Sequence, residues 1–175
     1  MSTPNPSATK LKAEVERSPI ADSPLATALA AHPFLRGLEP DQIKLLAANA
    51  MSMVIPAGEL IFREGDVANR FYLIQEGEVM LESSDDLGGH AVRIETIGAG
   101  DVLGWSWMFP PYYWHFDARA TQPTKAIFIY GTRLLEACEA DPKLGYALVK
   151  RVAELVIRRL QATRRRLVLQ TGGGH

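Results

Sequence analysis

Seven of the fourteen aromatic residues in this 175-residue chain fall within twelve positions, from Trp105 to Phe116, directly after a glycine at 104. All three tryptophans are among them. Flat rings at that density stack and exclude water; they do not make or break bonds. They could line a site for a flat apolar ligand, form a partner surface, or fill the space as core, and core or interface packing is the favoured reading. Residues able to catalyse are scattered. The four histidines stand at 32, 90, 115 and 175, with no H-x-H pair. No nucleophile elbow or P-loop spacing occurs. Cys138 is alone and has no adjacent histidine or basic pair. It reads as a packed residue on the buried face of a short helix, 133–140, rather than a reactive thiol. His115 reads as a strand histidine with structural hydrogen bonds, and Asp101 as a turn acceptor. Neither an enzyme nor a metal site is expected.

The elements that must hold the aromatic segment are short. Glycines at 58, 65, 77, 88, 89, 98, 100 and 104 punctuate alternating runs, the pattern of an antiparallel barrel or jelly roll. Eight strands are expected: 51–55, 59–63, 70–75, 78–83, 91–97, 101–103, 115–121 and 125–130. Glu76-Gly77 reads as a hairpin, and Ser84 to Gly89 as a polar loop. Helices precede and follow. His32-Pro33 breaks a first helix, and Glu39-Pro40-Asp41 starts a second, whose stripe is Ile43, Leu46, Ala47 and Ala50. A short helix lies at 132–139. Asp141-Pro142 then opens a long one to about Gln170. Its apolar seam of Val149, Val152, Val156, Leu160, Thr163 and Leu167 calls for a partner, and a second copy is the simplest. The fold expected is mainly β with flanking helices: an eight-stranded double-stranded β-helix jelly roll plus a long C-terminal dimerisation helix. The divisions are a disordered tail (1–23), the β-roll with its leading helices (24–140), the dimerisation helix (141–170) and a flexible end (171–175).

Charge is unevenly spread along the chain. The formal net charge is −1, yet residues 150–166 hold seven basic side chains against one acidic. A solvated outer face of a dimer helix is preferred to a nucleic-acid surface, because no readout module accompanies the charge. Hydrophobic content of 47% suffices for a core without disulfides. With no membrane-length apolar run and no secretory h-region, a cytoplasmic protein is expected.

Several of these motifs recur together at a familiar spacing. Pro56-x-Gly58, Glu64-Gly-Asp66, Phe71-Tyr-Leu-Ile-x-x-Gly-x-Val79 and Gly100-Asp-x-x-Gly104 resemble those of cyclic-nucleotide-binding domains. The order of helix, roll and long helix is similar to the sensor half of catabolite-activator-type regulators. Arg158-Arg-Leu-Gln-x-Thr163 resembles part of their dimer helix. The resemblance covers about residues 30–170. It implies a ligand in the insert after Gly104, where the N–H groups of Gly104, Trp105, Ser106 and Trp107 would face a phosphate. It further implies pairing of that phosphate with Arg119, beside Ala120 on the next strand, and closure by Thr163 of the long helix. Two departures stand out. The family's ribose-binding acid is Trp105 here, which has a donor but no acceptor. Arg119 directly precedes Ala120-Thr121, one residue later than usual, and in the strict register it points to the other face.

The reading that follows is a non-catalytic sensor for a cyclic nucleotide or other small anionic ligand, signalling through a homodimer built on residues 144–167. Two alternatives are an aromatic-filled interaction module and the sensor part of a transcriptional regulator. The helix-turn-helix that relatives carry after the long helix is not expected in the five residues that follow it here.

Overall fold

The computed structural model describes residues 23–84 and 91–171. The expected tail through residue 22, the polar loop at 85–90 with His90, and the last four residues lie outside the described residues.

Two helices open the chain, α1 (Pro24–Ala31) and α2 (Pro40–Ala47), separated by a 3-10 turn at Pro33–Leu35. Ser23 caps α1 by accepting the Ala26 N–H at 3.2 Å. Eight strands follow: β1 (Ala50–Ile55), β2 (Leu60–Phe62), β3 (Arg70–Glu76), β4 (Glu78–Ser84), β5 (Ala91–Gly98), β6 (Val102–Leu103), β7 (Asp117–Ala120) and β8 (Thr124–Tyr130). They form two antiparallel four-stranded sheets, ordered β1-β8-β3-β6 and β2-β7-β4-β5. Helices α3 (Gly131–Ala140) and α4 (Pro142–Thr171) close the fold. Asp141 caps α4, its carboxylate accepting from the Lys143 and Leu144 N–H groups and from Gln42 Nε2 of α2. Those bonds hold its carboxyl below the usual range. Among the described residues no helix is long and apolar enough to cross a membrane.

The unbroken run Phe71-Tyr72-Leu73-Ile74 has a simple cause. Sheet one is covered on both faces, so β3 needs apolar side chains at consecutive positions. Phe71 and Leu73 pack under the helices with Leu29, Leu46, Leu134 and Leu144. Tyr72 and Ile74 face the roll interior with Val79, Ile97, Ala118 and Phe128.

The expected hairpin at Glu76-Gly77 is not one. β3 lies in the first sheet and β4 in the second, so the chain crosses between sheets at Gly77. Its φ is +92°, and a Cβ there would meet Pro123 O at 2.4 Å and the Thr124 backbone at 2.7 Å. The glycine serves a close backbone approach rather than a hairpin turn. Cys138 is half-buried against the helical core, where burial raises its thiol pKa.

His32 joins the helical front to sheet one. It is 5% exposed. One ring nitrogen, Nδ1, accepts from Phe34 N at 3.3 Å, so Nε2 carries the hydrogen that it donates to Ile74 O at 3.1 Å. The bond to Nδ1 needs the neutral ring, and burial holds its pKa below the ordinary 6.5, with the bond to Ile74 O opposing this.

Two predictions follow from these contacts. Gly77→Ala should cost about 3 kcal/mol, because strain adds to a backbone clash. Gly65→Ala, at positive φ but with open space around it, should cost only about 1–2 kcal/mol; urea titration checks both. Below the ordinary histidine pKa the unfolded chain binds a proton that folded His32 resists, so stability falls with acidification there. The melting temperature should fall as the pH is lowered below about 6.5, and fall less in His32→Gln.

Candidate functional site

A cavity of about 310 Å3 opens between the roll and α4. Its floor is the turn after β6. Gly104 takes φ +81°, and a 3-10 turn, Trp105–Met108, starts there. The first N–H groups of such a turn have no acceptor within it. A Cβ on residue 104 would lie 2.9 Å from the Trp114 ring and 3.0 Å from Arg70 O, so both the conformation and the space demand glycine.

Trp114 therefore lies directly against the Gly104 backbone. It is 4% exposed and stacks on Phe62 with centroids 3.9 Å apart and planes 13° apart. The loop after β2 holds it from below: Gly65 N donates to Trp114 O at 2.8 Å, Trp114 N to Asp66 O at 2.9 Å, and Ala68 N to Tyr112 O at 2.7 Å. The indole seals the end of the roll beside the turn that the resemblance made the phosphate cradle.

The walls are mostly carbon, from Phe62, Ile94 and Phe116 on the roll and Val156 and Leu160 on α4. Polar groups on the wall are few. Arg159 of α4 donates from Nη2 to Val102 O at 3.0 Å, and its Nε lies 3.4 Å from Glu95 Oε2 of β5. Burial pulls the guanidinium pKa down, and the nearby Glu95 and Asp101 oppose this. Ser106, His115 and Thr163 also line the cavity. The Thr163 hydroxyl donates to Arg159 O at 3.0 Å within the helix.

Of the residues singled out from sequence, Gly104, Trp105, Ser106 and Thr163 lie on the cavity wall. Three others do not. Trp107 is 2% exposed and packs edge-on to Phe71 in the helical core; its Cβ closely faces Gly131. Ala120 is fully buried and exchanges backbone hydrogen bonds with Gly58 and Glu59. Arg119 points outward, because β7 turns Ala118 and Ala120 in and Asp117 and Arg119 out. Its Nη1 donates to Gly58 O at 2.9 Å, and its Nε is 3.7 Å from Glu82. It braces a surface turn, as the strict register implied. His115 is exposed and precedes β7 instead of lying within a strand.

The guanidinium at the cavity is Arg159, which sequence reasoning missed. A signal was present: Arg159 stands four residues before Thr163 and so shares its helix face. Asp101 does act as a turn acceptor, from Gly98 N at 3.3 Å.

The expected seam on α4 divides into two stripes. Leu144, Leu148, Val152 and Leu155 are buried on the fold, and Arg159 and Arg166 extend that line, Arg166 donating to Ile94 O at 3.1 Å. Val149, Val156, Leu160 and Leu167 remain exposed. Val152 thus belongs to the inner stripe.

Comparison with known proteins agrees with this architecture. The family model for the cyclic nucleotide-binding domain matches residues 52–141. A cyclic AMP receptor protein of Thermus thermophilus is 26% identical over 129 residues, covering 74% of this chain and 57% of that protein. A solved protein of Geobacter metallireducens, described as a cyclic nucleotide-binding protein, is 31% identical with a TM-score of 0.69, covering 77% of this chain and 97% of the other. A cyclic nucleotide-binding domain from Methylobacillus flagellatus is 19% identical with a TM-score of 0.73, covering 83% of each chain; at that identity the likeness is one of fold. The chain belongs to the cyclic nucleotide-binding domain family, a class of regulatory ligand-sensing domains. It spans 57% of the length of the Thermus receptor.

The placements of Trp114 and Arg119 predict opposite outcomes. Trp114→Ala should cost about 3–5 kcal/mol by loss of the stacked, buried indole. Arg119→Ala should cost less than about 1 kcal/mol, since its ion pair is solvent-facing. Paired denaturation curves check the contrast.

Proposed function

We propose that this chain is a non-catalytic sensor in which a small ligand fills the cavity between the roll and α4, and the seating of α4 reports its presence. One observation carries the reading: α4 supplies Val156, Arg159, Leu160 and Thr163 to the cavity wall. A ligand there touches the helix directly, so two helix positions would differ in affinity for it, as a switch requires.

The reading extends to a homodimer through residues 144–167. Val149 and Leu167 are 47% and 57% exposed on the outer stripe, and covering such a face with its own copy forms a two-fold helix pair. The ligand class that the family suggests is a cyclic nucleotide or another small anion.

A second reading, an interaction module with an aromatic-filled pocket, draws support from Trp114 at the cavity floor and from the exposed rings of Phe109, Tyr112 and Tyr113. The remaining 310 Å3 beside Arg159 favours the sensor.

Sedimentation equilibrium checks the dimer. The wild-type chain should sediment at twice its 19.3 kDa mass, and Val149→Glu with Leu167→Glu should yield folded monomer, because buried unpaired carboxylates disfavour the pair. A monomeric wild type at tens of micromolar overturns the dimer.

A further inference from the structure

We infer that the ligand of this cavity is a flat, largely apolar molecule bearing one acidic group, with its ring system against Phe62, Ile94, Phe116 and Leu160 and its acid at Arg159, and that it is not a cyclic nucleotide. The inference rests on the sensor reading above and names the chemistry of the same site.

Three features of the cavity lead there. The first is the floor. Trp114 lies on the Gly104 backbone and on Phe62, so a stacked indole covers one side of the turn where a phosphate would sit and narrows the space that Trp105 and Ser106 leave open to the cavity. The second is the missing cation. Arg119 is committed to Gly58 O and Glu82 on the outer surface, and β-strand alternation keeps it there. The third is the small set of partners for a sugar, in which Ser106 and His115 line the cavity and Glu95 is already paired with Arg159. Trp105 supplies no acceptor, and the Thr163 hydroxyl donates within its helix. Sugar hydroxyls set against carbon walls would give up water for few replacements.

The acid has one strong place to go. Arg159 uses Nη2 on Val102 O and Nε on Glu95; its Nη1 has no partner among the described residues. A planar guanidinium suits a carboxylate. Glu95 already offsets this cation and would repel a second negative charge, so a monoanion fits and a dianion does not. The volume lies at the small end of the usual range of roughly 300–1,000 Å3 for ligand pockets. A carboxylate at Nη1 also shares the guanidinium with Glu95 and Val102 O, the contacts that seat α4 on the roll, which links occupancy to the helix.

The test is calorimetric titration of the full chain with 2-naphthoate, with 2-naphthamide (the same rings without the charge), and with cyclic AMP and cyclic GMP, while hydrogen exchange is followed along 144–167. Naphthoate should bind, naphthamide about tenfold more weakly or worse, and the cyclic nucleotides more weakly than naphthoate. Arg159→Gln should lower naphthoate affinity about tenfold or more and leave naphthamide unchanged. If that variant does not fold, the naphthoate-to-naphthamide ratio on the wild type makes the same test. Three results overturn the inference: no naphthoate binding at about millimolar concentration, equal affinity for acid and amide, or tighter binding of either cyclic nucleotide. Exchange separates the two readings. Naphthoate binding that leaves α4 exchange unchanged keeps the ligand class and removes the sensor. Altered α4 exchange with a cyclic nucleotide alone does the reverse.

Discussion

The contact between the Trp114 indole and the bare backbone of Gly104 governs this end of the molecule. It demands a glycine at 104 by space as well as by conformation. It ties β2 to the aromatic segment through the Phe62 stack and is held by hydrogen bonds to the loop at 65–66. Because the indole occupies that position, the cavity floor is carbon on that side, with the turn of Trp105 and Ser106 beside it. Its chemistry is then set by its few polar groups, chiefly Arg159 and Glu95.

Helix α4 has two separate tasks, and its two stripes divide them. The inner line of Leu144, Leu148, Val152 and Leu155 fastens its first half to the core. Beyond Leu155 the attachment becomes polar, through Arg159 to Val102 O and Arg166 to Ile94 O. Apolar burial anchors one half, and a few hydrogen bonds to strand carbonyls hold the other. The second half is thus the part a ligand can reposition at modest cost, and it lines the cavity. In the proposed homodimer, the outer stripe of Val149, Val156, Leu160 and Leu167 would carry such a movement to the second copy.

Much of the fold was legible in the chain. All eight strands appear where glycine turns and alternation placed them, within a few residues at each end. The Asp141-Pro142 helix start was equally local and equally plain. Errors arose where a local pattern had two long-range solutions. Two strands separated only by Gly77 look like a hairpin, yet their partners are β8 and β7 in different sheets. The tight approach of Pro123 to Gly77 that marks the crossing lies 46 residues away in sequence. The α4 seam failed similarly: a stripe at three- and four-residue steps does not reveal which residues another part of the fold will cover.

The amino-acid sequence alone determined the family, the strand and helix order and the turn at Gly104, because turn chemistry and side-chain periodicity act over a few residues. Tertiary structure decided which indole fills the floor, which arginine reaches the cavity and which helix face stays bare. Those outcomes depend on contacts such as Arg159 with Glu95 and Trp114 with Phe62, between residues more than fifty positions apart, and only the packed chain brings such residues together.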